Sequence, residues 1–381
     1  MRFWIVNGVV HSAVSPEAQH VDILVENGKI AAIGKYDYGE KLDASGSQIY
    51  PGLIDAHCHV GLWGWGIRQE GVDLNEYNET VTPELDAVDG INPFDECFRY
   101  AREAGVTTIA TGPGSANVLG GFFAVIKTSG IRIDDMLIKR KAAMKCAFGE
   151  NPKTNHASGG VATRLTNAAK LREMLFKARE YLREIDAAGG DCSKRPDFNF
   201  KLESLLPVLR REIPLKAHAH QANDIFTAIR IAREFDVLLT LEHCTEGHLI
   251  ADELAKEGFP VAVGPGMMHA TKFELRNKSF ATPGILEKAG CQVSIITDAP
   301  VIPPEQLALS AGLAVRSGMT PFAALQAITI NPAKHLGVAD RVGSIEVGKD
   351  ADLILCDGSV FDSLTQVAMT LVNGKIVFTK E

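Results

Sequence analysis

No run of eighteen or more apolar residues occurs anywhere in the chain, so no segment reads as membrane-spanning. The opening stretch MRFWIVNGVVHSAV carries one early positive charge, and Asn7-Gly8 breaks it before an apolar core of signal-peptide length can build. It reads as a strand, and the expected location is the cytoplasm. The seven cysteines are an odd number with no Cys-x-x-Cys pair, which fits reduced thiols and not a disulfide framework. Basic residues are in the minority, 39 Lys and Arg against 47 Asp and Glu, and no basic stripe appears. A net charge of -8 argues against a phosphate-backbone partner. Internal repeats and low-complexity segments are also missing. The glycine-rich stretch from Thr111 through Asn117 to Gly120-Gly121 lacks the lysine and the spacing of a phosphate loop, so it reads as a tight connection. The expected partner is a small-molecule substrate, with no nucleic acid and no membrane; a homo-oligomer stays open.

What is present is the composition of a globular α/β protein: 46% hydrophobic, 23% charged and 35 glycines in 381 residues. That length accommodates one large domain and a small satellite. The first fifty residues read as short strands over 3–6, 9–10, 21–25 and 30–33, with Asn7-Gly8 and Asn27-Gly28 as hairpin turns. The last forty repeat that style over 351–355, 367–372 and 376–378, around Asn373-Gly374, so the two ends read as halves of one sheet. Between them, strand-like apolar runs at 106–110, 141–148, 215–219, 238–241, 261–263 and 293–297 alternate with helical stretches such as 168–187, 225–234 and 304–316. This alternation predicts an α/β fold, a (β/α)8 TIM-type barrel over 51–344, with a small β-sandwich domain formed by 1–50 and 345–381. Residues 151–160 and 189–196 read as loops.

Chemistry-bearing residues fall at the ends of the barrel runs. Leu53 to His59 is an apolar strand ending in His-x-His, and in an extended strand His57 and His59 share a face while Cys58 takes the other. Leu215 to His220 ends with His218 and His220 on one face, 238–243 ends in His243, and 293–298 ends in Asp298. In a parallel barrel these ends open onto one rim, so the residues are expected to converge. Imidazole nitrogen and carboxylate oxygen suit zinc and similar borderline ions. Among weaker rim candidates, Arg68, Lys153, Arg164, His269, Lys272 and Arg276 could hold a substrate carboxylate.

PGLIDAHCHVG, the HAH and EH strands, TDAP and the closing NPAKHLGVADRVGSIEVGKDADLIL together resemble the amidohydrolase superfamily, nearest its imidazolonepropionase-related branch, over essentially the whole chain. The resemblance implies metal ligation by His57, His59, His218, His243 and Asp298, with Asp298 also moving a proton. It implies a divalent cofactor, one ion or two, zinc first with iron or manganese as alternatives. At the fourth strand, relatives use either a glutamate or a carboxylated lysine. Glu150 after Gly149 is the expected ligand, and Lys145 its rival. His220 is expected to orient substrate or join the metal ligands. His243 and His220 are the expected partners of Asp298 in stabilising an oxyanion. The implied reaction is hydrolysis of a C–N bond in a cyclic amide, an N-acyl amino acid or a dipeptide-like substrate. Two alternatives stay open: hydrolytic deamination of a heterocycle, and a non-catalytic barrel scaffold.

Overall fold

The computed structural model describes residues 1–65 and 69–380. Its centre is one sheet of eight strands, hydrogen-bonded in chain order: β1 Leu53–Cys58, β2 Val106–Thr111, β3 Leu119–Lys127, β4 Leu137–Ala147, β5 Leu215–Ala219, β6 Leu239–His243, β7 Val261–Val263 and β8 Val293–Ile295. Every strand except β4 is buried along its full length, as expected for strands covered on both faces. Just past β8 the chain returns to β1: the Asp298 N–H donates to His57 O at 3.1 Å and the His59 N–H to Ala299 O at 2.7 Å. The sheet is thereby a nearly closed barrel of TIM type.

One strand departs from the expected all-parallel set, for β3 runs antiparallel to both β2 and β4. Its Gly120-Gly121 reads as turn chemistry in the sequence, yet both glycines lie inside the strand. Gly121 has φ +111°, and a Cβ there would stand 2.4 Å from Leu85 O, the carbonyl that accepts the Phe122 N–H. Glycine here permits a second segment of backbone to approach, and no turn is made.

The outer helices bury one stripe each. Helix Ala222–Phe235 turns Ile225, Ala228, Ile229, Ala232 and Phe235 inward at 3.6-residue spacing and stops at Asp236, which takes the left-handed conformation. The long helix Arg164–Ala188 starts at a Thr163/Thr166 capping box and ends at left-handed Gly189. Residues 151–155, read as loop, continue a short helix Glu150–Asn155.

The two ends of the chain meet in a five-stranded sheet that joins Val9–Val10 and Gln48–Pro51 to Leu353–Cys356, Val367–Val372 and Lys375–Thr379. A second, four-stranded sheet is made by the N-terminal segment alone: Arg2–Val6, Asp22–Glu26, Lys29–Gly34 and Lys41–Asp43. The sequence suggested one shared sheet; the structure has two, because the hairpin at Asn27-Gly28 and the strand Lys41–Asp43 satisfy Arg2–Val6 on both edges. The sheets share an apolar cluster that includes Phe3, Ile5, Ile23, Ile30, Ile49, Leu353 and Leu371. No described helix is long and apolar enough to cross a membrane.

Candidate active site

Period-2 alternation delivers the histidines to the barrel mouth. His57 lies on β1 and His59 just beyond it, His218 on β5 and His220 just beyond it, and His243 ends β6. Asp298 follows β8 by three residues, with φ +57°. Two groups result: His57, His59 and Asp298, and His218, His220 and His243, each with ligand atoms within 4.8 Å of one another. The groups adjoin, since the His57 and His243 rings are 5.0 Å apart and those of His218 and His243 4.4 Å. All six sequence candidates from these four strand ends are therefore brought together.

The imidazoles are oriented from behind. His57 Nδ1 donates to Glu242 Oε2 at 3.0 Å, His59 Nδ1 to Gly112 O at 2.7 Å, and His243 Nδ1 to Gly264 O at 2.8 Å. His220 Nδ1 shares a hydrogen bond of 2.8 Å with Thr245 Oγ1. Tethering Nδ1 fixes the ring and leaves Nε2 to face the mouth, the arrangement typical of metal-binding histidines. Among the described residues, His243 Nε2 and both nitrogens of His218 are buried with no hydrogen-bond partner. Buried polar atoms are normally satisfied, so orphans clustered at one point indicate a missing partner that accepts lone pairs. Burial holds His57, His218 and His220 well below the ordinary histidine range and lowers His243 to about 4. Neutral imidazoles are the form that ligates. Burial alone would push the Asp298 carboxyl up, but His243, His59 and His57 hold it well below its usual range, as a carboxylate. Neutral nitrogens and one carboxylate are a donor set that fits a divalent cation.

At the fourth strand the structure separates the two candidates. Glu150 joins neither group: it opens helix Glu150–Asn155, half-buried, and its backbone N–H donates to Glu274 Oε2. The expectation for Glu150 rested on its place after the strand, but β4 ends at Ala147 and the left-handed Gly149 turns the chain away. Lys145 lies within β4, fully buried, with Nζ donating to His57 Nε2 at 3.0 Å. Its side chain spans the depth that its position in the strand leaves, and burial lowers its amine to about 8.

Of the rim cations, Lys272 reaches the mouth, where Nζ donates to Asn151 Oδ1 at 2.9 Å and pairs with the buried Glu274 Oε1 at 3.0 Å. Arg164 pairs with Asp224, Arg276 with Glu246, and His269 is exposed. Lys153 is half-buried on the helix after β4, and Arg68 lies outside the described residues. The mouth opens into a cavity of about 290 Å³. His59, His218, His220 and Asp298 form its polar end, Trp63, Leu74, Met268 and Val301 its apolar wall.

Sequence reading passed over the group beneath the histidines. Glu242, fully buried, accepts from His57, from Lys216 Nζ at 2.9 Å, from His335 Nε2 at 2.9 Å and from Thr240 Oγ1 at 2.8 Å. Its signal was a glutamate next to a histidine in an otherwise apolar strand, a residue too costly to bury without partners. The glycine-rich stretch after β2 also gains a role, since its Gly112 carbonyl orients His59. A Cβ at Gly112 would stand 2.4 Å from the Phe123 ring.

A model of the amidohydrolase family matches residues 48–377. The structure is similar to the crystal structure of an amidohydrolase from Thermotoga maritima MSB8, with a TM-score of 0.96 and 38% sequence identity, covering 99% of this chain and 100% of that one. An imidazolonepropionase from Thermoplasma volcanium is 24% identical over 95% of this chain and 91% of its own. An adenine deaminase from Petrotoga mobilis is 24% identical over 98% of this chain. The chain spans 38% to 58% of the length of several curated relatives, that deaminase among them.

Proposed function

This chain belongs to the amidohydrolase family, and from that premise we propose that it hydrolyses a C–N bond in a compact amide, either a cyclic amide, an N-acyl amino acid or a dipeptide-like molecule. The observation that carries this reading is the convergence of five tethered or orphaned imidazoles and one carboxylate, of which His59, His218, His220 and Asp298 line a small cavity. The fitting cofactor is one or two divalent ions, zinc first, held by His57, His59, His218, His243 and Asp298 with His220 alongside. Such an ion supplies Lewis acidity and lowers the pKa of coordinated water from about 15.7 towards about 7.

The chain's own residues supply the remaining steps. Asp298, 3.2 Å from His59 Nε2, takes a proton from the attacking water on its carboxylate and returns it to the leaving nitrogen. His243 would hold the ion against the carbonyl oxygen, and His220, whose Nδ1 is held by Thr245, would face that oxygen with its Nε2 and help to stabilise the developing charge. Trp63, Leu74, Met268 and Val301 shield the reacting carbon from bulk water, and Lys272 with Asn151 offers a polar anchor for a substrate carboxylate. We read Lys145, and not Glu150, as the fourth-strand ligand. Its buried amine, lowered to about 8, adds to carbon dioxide with release of one proton, giving a carbamate beside His57. Lys145→Met should then abolish metal retention, and Glu150→Gln should leave it intact; the reverse pattern returns the role to Glu150.

Hydrolytic deamination of a heterocycle is the second reading, favoured by the similarity to an adenine deaminase. Metal analysis of protein purified without added metal, followed by a panel of lactams, N-acyl amino acids and dipeptides against purines and pterins, separates the two. Ammonia release from the rings with no amide cleavage would overturn the first reading. Absence of metal and of all turnover would overturn both.

A further inference from the structure

Beside the end of β4 lies a second cavity, of about 300 Å³, which shares no lining residue with the mouth. Phe148 and Gly149 form part of its wall, and the Phe148 N–H donates to His218 O at 2.9 Å, so this wall adjoins β5. Helices Arg164–Ala188 and Ala222–Phe235 supply the rest. Arg164, Leu165 and Asn167 come from the opening turn of the first helix, where the helix dipole favours an anion.

Two features of the lining are incomplete. Asn167 is 1% exposed, yet neither its Oδ1 nor its Nδ2 has a hydrogen-bond partner among the described residues. A buried amide left unpaired costs stability, so it points to something that completes it. That partner has to accept from Nδ2 and donate to Oδ1. The second feature is charge. Arg164 Nε donates to both oxygens of Asp224 at 3.0 Å and a terminal nitrogen to Gln221 Oε1, while Arg172 Nε donates to Glu234 Oε2 at 2.7 Å. Arg230 also lines the cavity and forms no ion pair among the described residues. Guanidinium groups thus outnumber the carboxylates they meet. Each carries several N–H donors, and the pairs with Asp224 and Glu234 use only some of them.

We propose that this cavity binds inorganic phosphate, at a site separate from the histidines of the mouth. Water completes an amide but does not balance surplus positive charge. A carboxylate or a sulfate balances the charge but has no hydrogen to give to Asn167 Oδ1. Inorganic phosphate does both: its oxygens accept from the guanidinium groups and from Asn167 Nδ2, and the P–OH it keeps near neutral pH donates to Oδ1.

The test is calorimetric titration of the full chain with phosphate, sulfate and methyl phosphate. It is run at about pH 8, above the second pKa of about 6 of a phosphate ester, so that of the three only inorganic phosphate retains an O–H. The parent should bind one phosphate per chain, and sulfate and methyl phosphate more weakly by about 10-fold, the worth of one hydrogen bond to a charged group. Asn167→Leu, which keeps the volume, and Arg230→Met should each weaken phosphate by about 10-fold or more. Phosphate held by a metal ion at the mouth would be indifferent to both substitutions, so unchanged affinity in the two variants overturns the proposal. So does a parent that binds no phosphate, which leaves Asn167 to water, and so does a parent that binds sulfate equally well. Thermal melts check folding. If Asn167→Leu does not fold, the exposed Arg230→Met decides in its place: weakened phosphate supports the site and equal affinity overturns it.

Discussion

The seam between the barrel and the small sheets and the mouth of the barrel both bury charge, and they resolve it in opposite ways. At the seam, Lys127 from the end of β3 pairs with Asp350 at 3.0 Å and with Asp352, while Lys29 and Arg341 close on Asp350 at 2.5 and 2.9 Å. Asp352 also accepts the Asn373 N–H. At the mouth, His218 and His243 keep buried nitrogens without partners among the described residues. A polar cluster that holds the barrel to the small sheets is completed by the chain itself, because an unsatisfied buried group only costs stability. A cluster that is completed from outside is a site, and incompleteness distinguishes it better than burial does.

Removing one charge from each region should sharpen the contrast. Asp298→Asn keeps the shape of the mouth, so the variant should fold while turnover of metal-replete protein falls by about 10²–10⁴-fold. Near-parental rates would take Asp298 out of the chemistry. Lys127→Met should do the reverse, costing about 3–5 kcal/mol because Asp352 is left buried without its cation. Urea unfolding measures the loss, and metal content per folded molecule should not change. Between these lies Glu242→Gln, which weakens the hold on His57 and should lower metal affinity about 10–100-fold. Unaltered affinity would make the Glu242 cluster a seam of the first kind.

The smallest effect is expected at Lys29, whose side chain is half exposed. Lys29→Met should cost no more than about 1 kcal/mol at pH 7. Its pH dependence is the informative part. Burial pushes the Asp350 carboxyl up, but Lys127, Lys29 and Arg341 hold it below its ordinary value. A depressed folded pKa stabilises the protein above the unfolded value, about 3.9, and that contribution is lost as pH falls through the folded one. Parent and variant should therefore differ at pH 7 and converge in acid. A gap that persists once Asp350 is protonated would show that packing, and not the ion pair, is responsible.

The sequence by itself determined the histidine and aspartate positions, because period-2 alternation places His57 with His59 and His218 with His220 on one face whatever the rest of the chain does. It also determined seven of the eight barrel strands, which follow from local apolar periodicity. The reversed β3 was not legible, since glycines that admit a neighbouring backbone look like glycines that turn a chain. The sequence favoured Glu150 over Lys145, but where β4 ends and how far a buried side chain reaches belong to the fold and were not legible in it. Glu242 was hidden for a related reason: it gains its role from partners brought near only by strand register and by loop packing. His335 stands 93 residues from Glu242. Alternation along a strand is a local property that the chain carries with it, whereas satisfaction of a buried carboxylate belongs to the folded molecule, and only the tertiary structure decided it.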